Sequence, residues 1–246
     1  MLTSLLTYIP LWTLLNRVIY NGLYYFCEPL FTKESKLEKI TSNVVSSYHG
    51  MKCVQIVFHE YSKRDLLFTY YPNVDYSSII SFSVSYFIYD LLNDIRIKSL
   101  TPAFFIHHFI SIISGLYINY VGLSQLYLVA LFVELSSLNL NIKDIMDILD
   151  MKDVSFYTIN GILFITTFFI SRIIYGPIVF RSTYVLTNKV NSIHYDIYRE
   201  NIINYNIPII LVSSFILLNI YWFQKIISVL IQRYCNKNII YYNDEL

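Results

Sequence analysis

The sequence predicts an all-α protein, a polytopic membrane helical bundle or barrel of six to seven transmembrane helices. Three observations predict it. Hydrophobic residues make up 55% of the 246 residues and charged residues only 14%, against about 45–50% and about 25% in soluble domains. Apolar stretches recur along the whole chain, at lengths near the ~20 residues that cross a hydrocarbon layer. Most lysines and arginines fall between those stretches. Mean hydropathy is +0.48 and net charge is +1. This balance excludes a disordered chain, a coiled coil and a basic nucleic-acid-binding domain.

The stretches are read in order. The first, 5–27, opens with MLTSLLTYIPLWTLLNRV. It has no basic leading segment and no small-residue cleavage site, so it reads as a retained span. The second (42–61) and fifth (122–141) are weakly apolar and suit a bundle interior better than lipid. The third (77–95) and fourth (102–120) are ordinary spans. The sixth, 155–180, contains Gly176-Pro177, which should bend it because proline removes one backbone donor. The seventh is 206–232. Seven spans use roughly 140 residues, leaving room for loops and tails only. The chain therefore divides into a first span and loop (1–37), a main membrane domain (38–232) and a tail (233–246). Cys27, Cys53 and Cys235 are scattered and form neither a disulfide framework nor a metal spacing.

Lysines and arginines orient the spans. With seven crossings, one side collects nine: Lys33, Lys36, Lys39, Arg96, Lys98, Lys143, Lys152, Arg233 and Lys237. The other collects five: Lys63, Arg64, Arg181, Lys189 and Arg199. The positive-inside rule makes the first side cytosolic, together with the C-terminus. The last four residues, Asn243 to Leu246, resemble a luminal retrieval signal, but a cytosolic tail would not be read by a luminal receptor.

Ionisable groups within spans are costly to insert and therefore informative. His49, Asp90, His107, His108, Glu134 and Asn160 lie on five consecutive stretches. Counted at 1.5 Å per residue, all fall roughly 8–11 Å below the cytosolic boundary. They form either a packed polar layer or a site opening toward that leaflet. An imidazole can act as base or nucleophile, and Asp90 could hold one ring in the required tautomer. Tyr86 precedes Asp90 by one turn and could hydrogen-bond it. Arg172 either snorkels or pairs with Glu134. A metal site of His49, His107, His108 and a carboxylate is chemically conceivable. Adjacent histidines lack the i, i+4 spacing of helical metal pairs, so no metal is expected.

These residues stand in motifs whose order resembles the TLC family of ceramide synthases, translocating-chain-associating membrane proteins and small animal TLC-domain proteins. The motifs are Asn43-Val-Val-Ser-Ser-Tyr-His49, Ser85-Tyr-Phe-Ile-Tyr-Asp90, Phe104-Phe-Ile-His107-His108, Glu134-Leu-Ser-Ser137 followed by Asn139, Asn160-Gly-Ile-Leu, and Phe168-Phe-Ile-Ser-Arg172. The resemblance covers about residues 38–225. It implies a helical barrel or bundle of six or seven spans in the endoplasmic reticulum or a related endomembrane, and the handling of long acyl chains. From ceramide synthases it implies acyl transfer from acyl-CoA at His107 and His108. The acidic H-D-x-x-D segment of those enzymes is absent, because Glu134, Leu135 and Leu138 occupy the matching positions. The closer match is to the small members, for which the resemblance implies lipid sensing, regulation of membrane lipid composition or unassigned acyl-lipid chemistry.

The expected function is thus binding or regulation of membrane lipids through a polar site of His49, Tyr86, Glu134, Asn139, Asn160 and Arg172. The alternative is an acyltransferase using His107, His108 and Asp90, with acyl-CoA as co-substrate. A structural or translocation-associated role is the third reading. Membrane lipids are the expected partners, and no cofactor is expected.

Overall fold

The computed structural model describes residues 2–27, 34–194 and 206–243, with side chains placed for 3–25, 34–190 and 206–232. The side chains of Cys27, Lys33, Arg199, Arg233, Cys235 and Lys237, and the terminal residues 244–246, lie outside the described residues.

Every element among the described residues is helical: α1 (Leu2–Cys27), α2 (Glu34–Tyr61), α3 (Ser77–Arg96), α4 (Pro102–Tyr120), α5 (Ser124–Ala130), a 3-10 turn (Leu131–Glu134), α6 (Leu135–Ile148), α7 (Ser155–Phe168), a π-helical segment (Phe169–Ile174), α8 (Tyr175–His194) and α9 (Ile207–Asn243). The start of α4 is specified locally. The Thr101 hydroxyl accepts from the Phe104 amide, and Pro102 occupies a position whose amide would otherwise lack a partner.

Among the described residues, four helical runs are long and apolar enough to cross a membrane: Pro102–Tyr120, Ser124–Ile148, Ser155–Val190 and Ile207–Gln232. The first three expected stretches are helices too, α1 to α3, but they fall outside that set of four. Their polar and charged residues, such as Glu34, Lys36, Glu38 and Lys39 in α2, dilute the apolar content. The sixth stretch runs on well past residue 180, into α8. The break ahead of Gly176-Pro177 takes the form of the π segment, in which the backbone shifts register instead of stopping.

The helices pack in a closed order. α1 lies against α2, α2 against α6, and α6 against α7; α8 and the π segment lie against α9, α9 against α4, α4 against α3, and α3 returns to α1. This is the barrel alternative of the expected architecture. One end is plugged by α5 and the 62–76 loop. The Gln125 side chain donates to the carbonyls of Leu66 and Thr69, the latter at 2.8 Å, and accepts from the Tyr71 amide at 3.3 Å. Leu66, Leu123, Leu126 and Leu128 fill the core there. The Ser182 hydroxyl donates to the Leu67 carbonyl, which ties α8 to the same plug.

The α3–α4 contact depends on Gly115. A β-carbon there would stand 2.3 Å from Val84 Cγ2 and 3.0 Å from Tyr127 Cε2. Val84 is fully buried, so neither neighbour can withdraw without opening the core. Gly115→Ala is expected to lower stability by about 1–3 kcal/mol. Gly161→Ala, with nothing within 4 Å of the added carbon, should match or exceed wild type, because helical glycine costs about 0.5–1 kcal/mol relative to alanine. Thermal unfolding in detergent compares the two; equal losses would contradict the packing argument.

Candidate functional site

The site is built on the facing surfaces of α3 and α4. His107 and His108 leave α4 about 100° apart, so they serve different neighbours. His108 turns to α3, where its Nε2 lies 2.9 Å from Asp90 Oδ2. Its Nδ1 donates to the Phe104 carbonyl at 2.7 Å, one turn back on α4. Both ring nitrogens are therefore engaged. His107 turns toward α9 and sits among rings: Trp222 at 5.4 Å, Phe215 at 5.7 Å and Phe87 at 5.7 Å between centroids. It is buried and its Nδ1 has no hydrogen-bond partner. Of the pair, His107 is the one with a free nitrogen.

His49 belongs to the neighbouring interface of α1, α2 and α3. Its Nε2 lies 3.1 Å from Ser83 Oγ and 3.2 Å from Cys53 Sγ. Tyr86 lies flat on its ring, with centroids 3.8 Å apart and planes 13° from parallel. Trp12 of α1 closes this pocket and donates its indole N–H to Ser85 Oγ at 3.1 Å. Cys53 is fully buried, in keeping with a packing role.

The three histidines do not converge on one point. Phe87 stands among them, edge-on to His49 at 5.4 Å, to His107 at 5.7 Å and to His108 at 5.9 Å. The conceivable metal set of three histidines is therefore not assembled. His108 makes the close 2.9 Å contact with the Asp90 carboxylate, and the buried Tyr86 hydroxyl lies within interaction range of the same carboxylate and of Ser46.

Glu134 and Arg172 form a second network, which also borders Trp222. Arg172 is 6% exposed, so it does not snorkel. Its guanidinium donates to Ser136 Oγ at 2.8 Å, Asn219 Oδ1 at 3.1 Å and Ser137 Oγ at 3.3 Å. Ser137 in turn donates to Glu134 Oε2 at 2.7 Å. Glu134 and Arg172 are thus linked through the Ser137 hydroxyl instead of pairing directly. Phe168 and Trp222 cover the guanidinium, with its carbon 5.2 and 5.7 Å from their ring centroids.

Asn139 and Asn160 are separate again. Asn160 donates to the Asn139 carbonyl at 2.9 Å and Asn139 to Thr167 Oγ1 at 3.2 Å. They bind α6 to α7. The single polar layer thus resolves into local networks, because residues at one depth still point in different directions around each helix. Sequence reasoning missed Phe87, Trp222, Ser137 and Asn219, whose roles follow from which helices become neighbours. It also missed Asp94, which the i, i+4 spacing from Asp90 made visible.

A closed ring of apolar helices with buried histidine, carboxylate and arginine networks defines a helical membrane protein with a polar interior. The chain belongs to the TLC-domain family, the group described by TRAM, LAG1 and CLN8, whose model matches residues 4–228 and so begins within α1. It is similar to TLC domain-containing protein 2 of Danio rerio, 29% identical over 121 residues. That alignment covers 47% of this chain and 47% of the relative, about half the length of each.

The Glu134–Ser137–Arg172 relay predicts coupled losses. Glu134→Gln and Arg172→Gln should each lower the unfolding temperature. The double variant should be less damaged than their sum, by about 0.5–3 kcal/mol, because each single change leaves the other charge buried and unbalanced. A double-mutant cycle including Ser137→Ala measures this, and strict additivity would remove the relay.

Proposed function

We propose that this chain binds or regulates membrane lipids with long acyl chains, through the polar interior bordered by His107, Trp222 and Arg172. The observation that carries this reading is His107. A buried imidazole with a free nitrogen, ringed by Phe87, Phe215 and Trp222, offers a lipid one polar anchor within an apolar enclosure, the usual make-up of a small-molecule site. In a bilayer an unpartnered polar atom is costly, and a lipid carbonyl, amine or hydroxyl would offset that cost. The reading includes six or seven crossings, with α1 to α3 counted because they complete the ring. It also includes an endoplasmic reticulum or related membrane, and a cytosolic C-terminus from the lysine and arginine balance. Asp90, Tyr86, His49, Asn139 and Asn160 hold the surrounding helices.

One observation favours the acyltransferase as a second reading. His108 is fixed by Asp90 and Phe104 while His107 keeps a nitrogen free. In that reaction a lipid amine attacks the thioester carbonyl of acyl-CoA and the carbon–sulfur bond breaks. His107 takes the amine proton and passes it to the departing thiolate.

Mass spectrometry of lipids that co-purify with the protein separates the readings. For the binder, wild type is expected to retain a lipid, and His107→Ala should reduce that retention by about tenfold, the loss of roughly 1.4 kcal/mol. A covalent acyl adduct, or acyl-CoA turnover lost in His107→Ala, would move the function to the enzyme. Absence of retained lipid removes the binder, and absence of both an adduct and acyl-CoA turnover removes the enzyme.

A further inference from the structure

The same end of α3 carries a constellation that the lipid reading does not use. One ligand atom each from Asp90, Asp94 and His108 lie within 4.8 Å of one another. Asp90 and Asp94 are one turn apart on α3, and His108 faces them from α4. We propose that these three residues bind a divalent transition-metal cation.

The argument starts from the His108 ring. Its Nδ1 faces a backbone carbonyl, which only accepts, so Nδ1 carries a hydrogen. That is the arrangement by which a metal-binding histidine is oriented, leaving Nε2 for the cation. Nε2 lies 2.9 Å from Asp90 Oδ2. Two lone pairs at that separation need a positive centre between them, either a proton or a metal ion. Both would fit the distance, since cis ligands on metal bonds of about 2.1 Å stand about 3 Å apart in octahedral geometry.

Charge and surroundings favour the metal. A protonated His108 balances one of the two carboxylates and leaves the other unmatched. A divalent cation with neutral His108 balances both. Asp94 is already oriented: its Oδ1 accepts from the Ser99 hydroxyl at 2.6 Å. Lys39, within electrostatic reach of Asp94, is solvent-exposed and screened accordingly.

A separate observation points into the same place. Tyr86, on the turn of α3 before Asp90, is 2% exposed, and its hydroxyl makes no hydrogen bond of full geometry while lying within interaction range of the Asp90 carboxylate and of Ser46. It is near enough to Asp90 to donate to that carboxylate while the carboxylate holds a cation. Asp90 and Asp94 are both partly exposed near the end of α3, which provides an entry path. One imidazole nitrogen with two carboxylates suits Zn2+, Mn2+ or Fe2+ better than Ca2+ or Mg2+, which prefer oxygen alone.

The test uses the untagged full chain in detergent, loaded separately with Zn2+ and Mn2+, desalted and analysed by elemental mass spectrometry. Wild type is expected to retain about one equivalent per chain of one or both. Asp94→Asn and His108→Gln should each cut retention by about tenfold or more, whereas Asp144→Asn, an acidic change on α6, should not. Co2+ in place of the loaded metal should give visible bands without thiolate charge transfer. Asp94→Asn preserves shape, and its unfolding temperature in chelator should equal that of wild type. The proposal is overturned if wild type retains no metal, if Asp94→Asn retains as much as wild type, or if Asp144→Asn loses as much as Asp94→Asn. Because the readout is metal rather than lipid, this site and the lipid reading can each fail alone.

Discussion

The close approach of α3 to α4 at Gly115 and Val84 is the constraint on which the interior depends. With no side chain at Gly115, the Val84 methyl occupies the space a β-carbon would need. About two turns along the same pair of helices, the short spacing lets His108 reach Asp90 at 2.9 Å without a water between them. A wider gap would leave an aspartate and a histidine unpaired inside a membrane protein, where an unsatisfied polar group costs several kcal/mol. Packing and polar pairing are thus one device here: the methyl-to-backbone contact sets the distance at which His108 meets Asp90.

That device also explains why the adjacent histidines are not equivalent. Once α4 is pinned with His108 toward α3, the geometry of a helix turns His107 the other way, to α9. There it meets Phe215 and Trp222, which keep its Nδ1 dry and unpartnered. Trp222 carries the arrangement further, since its other neighbour is the Arg172 guanidinium. One indole borders both a free imidazole and a buried cation whose countercharge, Glu134, lies one hydroxyl away. The interior is therefore polar at several discrete points within aromatic walls, and the ring of helices closes around them.

The fold was legible in the sequence to the extent that it follows from one-dimensional pattern. Apolar stretches became helices in the expected places. The bend at Gly176-Pro177 was visible because proline lacks an amide hydrogen, although its form as a π segment was not. The candidate site was legible in its ingredients: Asp90, His107, His108, Glu134 and Arg172 stood out as ionisable groups among apolar ones. Their partners did not. Phe87, Asn219 and Trp222 are unremarkable by type, and nothing in their local sequence says that they will sit between histidines or against a guanidinium.

By itself, the sequence determined the class of protein, a chain of membrane helices with rare buried charges, because burial in lipid constrains composition residue by residue. It also determined which positions carry chemistry, because an ionisable group in an apolar stretch stands out without any partner in view. Tertiary structure alone decided the pairings. It joined His108 to Asp90, left His107 free, linked Glu134 to Arg172 through Ser137, and separated His49 from both behind Phe87. Depth along a helix can be counted from sequence. Direction around the helix axis has meaning only once the neighbouring helix is in place, and that direction selects each partner.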